Sequence, residues 1–468
     1  MGEAGPHRRG RAKSVGRVSR TIDVGALLDH GPWTAQQKRW TILAALAIIF
    51  DGFDIQILGF AIPSLIREWH VARSAFGPVL ALGLVGMAAG SPLAGYFGDR
   101  FGRRTALIGC VSLFGLATIA SSFVDGVAGL AVLRVLTGMG AGGALPNAAA
   151  LSAEFAPLRR RHAAVLLTIV CVPLGGMVGG VIASQVLPAL GWRALYLIGG
   201  TMPLAFAIVL WLTLPESPRF LARRPEERQR LSGLLRRLGH IVDPDSTFED
   251  RTKVAVDNRT PIRALLGPEL VRDTVGIWIA YFFCLGSIYV MFGWLPTLLT
   301  SQGISPATAT TGLAVYNLGG VCGVVLWTFL INAFGSRGPM LVGALGTAAS
   351  AVMVLLIPFH ANSNPVFLLA AIGLNGLLAN AVQTSMFALA AHVYPTAVRA
   401  SGVAYAAALG RTGGVISSLF GAVLIQAGPV VFWWAMAAAM VVAFAGLAGV
   451  RNHFAAIGKL EPAEVAAS

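Results

Sequence analysis

"FDGFDIQILGF", residues 50–60, sets two aspartates, Asp51 and Asp54, inside an apolar run that extends from about Trp40 to Ile62. A helix rising ~1.5 Å per residue over that length crosses a hydrocarbon core ~30 Å thick. Each carboxylate at the centre of such a helix costs on the order of 2.5–3.5 kcal/mol on insertion scales. Leucine would insert there without penalty. The pair is tolerable if this span faces a wet cavity inside a bundle of helices and turns its other side to lipid.

The rest of the chain supplies the bundle. Of 468 residues, 56% are hydrophobic and 12% charged, against roughly 25% charged in soluble domains. Apolar runs long enough to span recur at roughly 40–62, 76–97, 105–123, 128–151, 163–187, 192–214, 273–299, 309–331, 339–358, 365–390, 401–426 and 429–450. These predict an all-α polytopic membrane protein of twelve transmembrane helices. The 56 glycines suit close helix packing in lipid, where small residues form the interfaces.

A net charge of +14 raises nucleic acid as a partner, but the distribution argues for a membrane. With the N-terminus placed in the cytoplasm, thirty of the 35 Lys and Arg fall on that side. The outer loops hold Arg67, Arg73 and Arg193, and the spans hold Arg134 and Arg411. This asymmetry follows the positive-inside rule. It predicts a multi-pass protein of the cytoplasmic (inner) membrane with both termini cytoplasmic, in contact with lipid and without a nucleic-acid partner; a monomer is expected, though no charge pattern fixes the oligomeric state. The leading 39 residues are basic and lack an apolar core, so the first span is expected to direct insertion.

Cys110, Cys171, Cys284 and Cys322 sit in spans at unrelated spacings. They form neither a metal signature nor a disulfide framework, so no cofactor and no metal are expected. The eight histidines fall in tails, loops or span ends, which speaks against a mid-membrane histidine relay.

The polar stretch from Pro215 to Arg272 divides six spans from six. The expected organisation is a cytoplasmic segment (1–39), a six-helix bundle (40–214), a linker (215–272), a second bundle (273–450) and a tail (451–468). Within the linker, "RRPEERQRLSGLLRRLGH" predicts an amphipathic helix. The halves echo each other: "EFAPLRRR" (154–161) and "HVYPTAVR" (392–399) follow spans four and ten, and at the same offset Gly175-Gly176 aligns with Gly413-Gly414. A parallel repeat of six spans is the pattern of an alternating-access transporter.

After span two comes "GYFGDRFGRR" (95–104). Gly95, Gly98 and Gly102 permit a tight turn between packed spans. Asp99 with Arg100, Arg103 and Arg104 forms a charge cluster that can pair across the gap between halves and latch one access state, and Arg399 is expected to share in that gating. A plain basic loop is the alternative, and Asp99 is oddly placed for it.

This loop resembles the signature of the major facilitator superfamily, and "RVLTGMGAGG" (134–143) resembles that superfamily's span-four pattern. "PESPRF" (215–220) is similar to its sugar-porter and organic-ion branches. "DGFD", with "TIDVGALLDHGPWTAQQKRW", "TGMGAGGALPNAAALSAEFAP" and "VYPTAVRASGVAYAAALGRTGG", resembles the aromatic acid/proton symporter family over roughly residues 21–450. The resemblance implies the major facilitator fold and import of benzoate-like or hydroxybenzoate-like anions, or related ring-cleavage acids, with protons. It implies functional roles for Asp51, Asp54, Asp99, Arg134, Arg399 and Arg411. In "NAFGSRGP" the chain departs from the pattern: Asn332 stands where the first half has Asp99, which weakens the second latch.

Depth arithmetic gives an independent reading. Asp51 lies near mid-depth, and Asp54, three residues on, shares its helix face. Arg134 lies ~9 Å from the outer surface and Asp54 ~12 Å, so the two are expected to interact. Arg411 falls ~15 Å into span eleven, at the midplane. Between Asp273 and Glu461 there is no Asp or Glu, so Arg411 either reaches across to span one or binds an anion from solution, its planar fork suiting a carboxylate. A purely structural arginine bonded to carbonyls is the alternative. Candidate pocket residues around it are Tyr281, Tyr289, Tyr316, Asn317, Asn375, Asn380 and Gln383; packing is the plainer role for each.

The reading is proton-coupled import of an aromatic carboxylate, with Asp51, Asp54 and Arg134 handling the proton and Arg411 the substrate. A proton-driven exporter of organic acids or drugs, and uptake of a non-aromatic acid such as muconate, remain open. No nucleophile–base or metal constellation suggests an enzyme, and the linker is too short and basic for a receptor's output domain.

Overall fold

The computed structural model describes residues 21–240, 247–250, 262–357, 365–395 and 398–456. Eleven helices among them are long and apolar enough to cross a bilayer. One, Leu158–Thr213, breaks at Gly191, where φ is 76°, a left-handed conformation that glycine adopts without steric cost. It therefore supplies two spans, and the total is the expected twelve.

The first half comprises Ala35–Trp69, Phe76–Phe101, Arg103–Ser121, Val127–Phe155 and the two arms of Leu158–Thr213, as spans one to six. The second comprises Val271–Ser301, Pro306–Phe334, Arg337–Leu355, Pro365–Val393, Arg399–Gln426 and Pro429–Gly449, as spans seven to twelve. Several outrun the hydrocarbon thickness. Span one starts five residues before its apolar run, at Ala35, because Thr34 and Gln37 form a reciprocal capping box there.

Residues 21–34 of the leading segment and 215–240 of the linker fold against the first half. Helix Arg228–Arg237 buries Leu231, Leu234 and Leu235 and leaves Arg230, Arg236 and Arg237 outward, the amphipathic pattern expected. Val24 and Leu28 of helix Val24–His30 join the same apolar cluster. Asp29 on that helix is held by Arg219 at 2.5 Å and by Arg161. One feature is not helical: Thr21–Asp23 pairs in parallel with Thr247–Glu249. Residues 1–20 and the tail beyond 456 lie outside the described residues.

Twelve spans place the described chain ends on one side, called here the termini side. The halves approach each other most closely toward the opposite side. Gly59 lies against the backbone of Phe292, Gly77 against Leu419 and Gly180 against Ala314. The amides of Gln56 and Asn317 exchange two hydrogen bonds, of 3.1 and 2.8 Å, across the same junction. The bundle is sealed on that side.

Candidate functional site

Spans one and five meet backbone to backbone. A Cβ on Gly52 would strike the carbonyl of Val172, and one on Gly175 would strike that of Ile49. This close approach holds Asp51 over a central cavity of about 220 Å³ that its side chain helps to line. Asp51 is 1% exposed, and its Oδ1 has no hydrogen-bond partner among the described residues.

The opposite wall comes from the second half. Arg411 lines the cavity, half-buried, and makes no hydrogen bond or ion pair with the described residues. The one mid-membrane cation of the second half and the deepest acid of the first thus share a cavity. Asn380 and Gln383 of span ten and Tyr289 of span seven also line it. Asn380 Nδ2 is bonded to its own helix at Gly376 O, 2.9 Å, which leaves its carbonyl oxygen for the cavity.

Three polar or aromatic lining residues escaped the sequence reading: Thr384, Phe387 and Phe292. The first two were findable. Asn380, Gln383, Thr384 and Phe387 follow the i, i+3, i+4, i+7 spacing of one helix face. Ala149, Val324 and Phe387 carry the lining toward the termini side, so the cavity extends away from the sealed junction.

Asp54 faces elsewhere. Arg134 Nη1 lies 3.6 Å from its Oδ2 and donates to its backbone carbonyl at 3.2 Å, while Thr118 Oγ1 donates to Oδ1 at 2.5 Å. The expected Asp54–Arg134 pair is therefore formed, and Thr118 is a partner that depth arithmetic alone did not name. Beside the pair lies a chamber of about 30 Å³, enough for a water, which needs roughly 10–15 Å³. Ile55, Met87, Ala141, Tyr289 and Phe292 line both spaces, so a common wall separates the two carboxylates three residues apart.

Four proposed pocket residues lie outside the cavity. Asn317 is committed to Gln56 and to Leu313 O. Asn375 ties spans nine and ten together by donating to Thr347 O and Ser350 Oγ. Tyr316 stands edge-on to Phe292 at 6.1 Å, and Tyr281 edge-on to Phe387 at 5.4 Å; both support aromatic residues that do line the cavity.

The loop after span two pairs within its own half. Arg103 bonds Asp99 at 2.5 Å, an i,i+4 surface pair worth ~0.3–0.5 kcal/mol. Gly102 (φ 104°) makes the turn, and a Cβ there would strike the Glu216 carboxylate. Glu216 accepts from the backbone N–H groups of Arg104 and Ser217, both at 3.0 Å. Burial pushes that carboxyl up from its ordinary range, against the pull of those amides. Arg100 donates to the Tyr96 hydroxyl at 2.9 Å, and Arg399 to Tyr394 O at 3.2 Å. Among the described residues none of these charges bridges the halves. Gly95 corrects the sequence reading: an added Cβ meets nothing within 4 Å, so packing does not require glycine there.

A family model described as Major Facilitator Superfamily matches residues 44–359 and again 277–464. The chain is 34% identical to a gallate transporter of Pseudomonas putida, over 88% of this chain and 90% of that protein. It is 33% identical to the 4-hydroxybenzoate transporter PcaK of the same organism, over 88% and 91%. A benzoate transport protein of Acinetobacter baylyi is 27% identical over 86% of each. Among solved structures, the xylose transporter XylE from E. coli in an inward open conformation superposes with a TM-score of 0.69 at 18% identity, covering 92% of this chain and 99% of that one; at that identity the likeness carries the fold alone. Twelve spans in two repeated halves, a central cavity and full-length relatives agree: the chain belongs to the major facilitator superfamily and, within it, to the family of aromatic acid transporters.

Proposed function

We propose that the protein imports a small aromatic carboxylate across the cytoplasmic membrane together with protons, by alternating access. The observation that carries this reading is the cavity holding Asp51 and Arg411 on facing walls. A guanidinium with no hydrogen bond or ion pair among the described residues offers a planar double donor to a carboxylate. Tyr289, Phe292 and Phe387 supply faces and edges for a ring, and the amides of Asn380 and Gln383 suit ring hydroxyls. At about 220 Å³ the space is below the ~300–1,000 Å³ of drug-sized sites and fits a single-ring acid. The gallate, 4-hydroxybenzoate and benzoate transporters similar to this chain support that class.

Asp51 couples the proton to the substrate. Ionised, it repels an incoming carboxylate and holds Arg411 by attraction; protonated, it releases Arg411 to the substrate. The proton therefore loads with the acid, and its loss on the cytoplasmic side expels the acid. Asp54 and Arg134, behind the common wall, set the charge that Asp51 feels.

The test is uptake into proteoliposomes of radiolabelled benzoate, its hydroxylated forms, muconate and a sugar, under an imposed proton gradient. Accumulation of one aromatic acid is expected, abolished by a protonophore and by Asp51→Asn. Aromatic uptake that equilibrates but ignores the protonophore removes proton coupling. Uptake of muconate or the sugar alone removes the aromatic reading.

A further inference from the structure

A second cavity, of about 490 Å³, opens on the termini side between the ends of spans three and six and helix Arg228–Arg237. We infer that it binds the headgroup of an anionic phospholipid, with the acyl chains running down the outer face of span six. The inference rests on membrane embedding alone and is independent of the transported substrate.

Charge is the first argument. Arg104, Arg224, Arg230 and Arg237 all line the groove. The acids there are already committed: Glu216 to the backbone amides described above and Glu227 to Arg230 at 3.2 Å. Arg237 makes no hydrogen bond or ion pair with the described residues, and Arg230 and Arg237 lie seven residues apart on the outward face of their helix. Guanidinium groups match phosphate oxygens in geometry as well as charge. Basic pockets at the ends of transmembrane helices hold anionic headgroups for this reason.

The apolar wall distinguishes a lipid from a free anion. Phe101, Trp211 and Leu212 line the same groove and are 51%, 60% and 76% exposed. Trp211 closes span six at the level where tryptophan sits at a membrane–water boundary, and the Arg104 guanidinium stands 5.2 Å over its ring. A soluble phosphate would leave these surfaces bare. A phospholipid covers them while its headgroup meets the arginines.

The experiment is native mass spectrometry of the full-length protein in detergent with equimolar dioleoyl phosphatidylglycerol and dioleoyl phosphatidylcholine, which share tails and phosphate and differ in net charge. Retention of phosphatidylglycerol over phosphatidylcholine is expected. Arg224→Gln with Arg237→Gln lowers that preference by about fivefold per arginine, roughly twenty-five-fold for the pair. Arg159→Gln with Arg160→Gln removes the same charge from another exposed stretch of the same side and leaves it unchanged. Should the double variant fail to fold, Arg237→Gln alone, on an exposed and unpaired side chain, is expected to show the fivefold loss. Equal retention of both lipids, an undiminished preference in the variants, or an equal loss in the control pair overturns the site. Displacement of the lipid by millimolar inorganic phosphate also overturns it, making the groove a site for soluble anions.

Discussion

Asp54 and Arg134 form a buried ion pair between spans one and four, and their contribution to stability is distinct from any role in transport. Removing one partner of such a pair costs ~3–5 kcal/mol because the other charge is left buried and unmatched. Arg134→Ala is therefore expected to lower the thermal unfolding midpoint in detergent markedly. Asp54→Leu combined with Arg134→Met is expected to recover most of that stability, since an apolar pair of similar volume removes both desolvation penalties, while uptake stays abolished. Recovered transport in the double variant would assign the pair to folding alone. Arg411 is argued from its geometry. Arg411→Lys keeps the charge but loses the planar fork, so one charge-assisted hydrogen bond, worth ~1.5–3 kcal/mol, goes with it. The expected result is a rise in KM of about ten- to a hundred-fold with the protein still folded; an unchanged KM would show that only the charge matters.

The elements were legible where a local pattern encodes them. Hydropathy located all twelve spans, and the leucine spacing of "RLSGLLRRL" located the linker helix. Depth along helices paired Asp54 with Arg134 and brought Arg411 level with Asp51, because a constant rise per residue turns sequence position into height. It could not supply rotation about each axis. For that reason Asn317 and Asn375, at plausible depths, turned out to bond Gln56 and Ser350, and Phe387 was overlooked. The strands Thr21–Asp23 and Thr247–Glu249 pair across more than two hundred residues, and three-residue strands are too short for an alternating pattern. Glycines divide on the same ground, since sequence shows that they are small but not what they touch. Gly175→Ala puts a Cβ on the Ile49 carbonyl, and forcing spans one and five apart is expected to cost ~1–3 kcal/mol. Gly95→Ala meets open space and is expected to leave the unfolding midpoint unchanged. The pair of midpoints, measured side by side, checks both.

At the scale of the molecule the two halves contribute unequally: the first supplies the acids deep in its spans, Asp51 and Asp54, with Arg134, and the second supplies only the cation Arg411 at that depth. The cavity charge is balanced only while the halves are together, which couples ionisation to their relative position. In the conformer described here they are sealed opposite the termini side by glycine contacts and by the Gln56–Asn317 amide exchange. Alternating access requires that seal to part. Gly77 tests this directly, because a Cβ on it would lie 3.3 Å from Leu419 Cα, so the two backbones touch there and a cysteine pair at these positions would span the seal. Gly77→Cys with Leu419→Cys, in a background freed of the four native cysteines, is expected to cross-link on mild oxidation and to lose net uptake. Reduction is expected to restore it. The bridge lies away from the termini side, toward which the cavity lining extends, so substrate binding measured from that side in detergent should survive oxidation. Full uptake by quantitatively bridged protein would mean that the halves do not separate at Gly77, and the substrate would then have to reach Arg411 by another route.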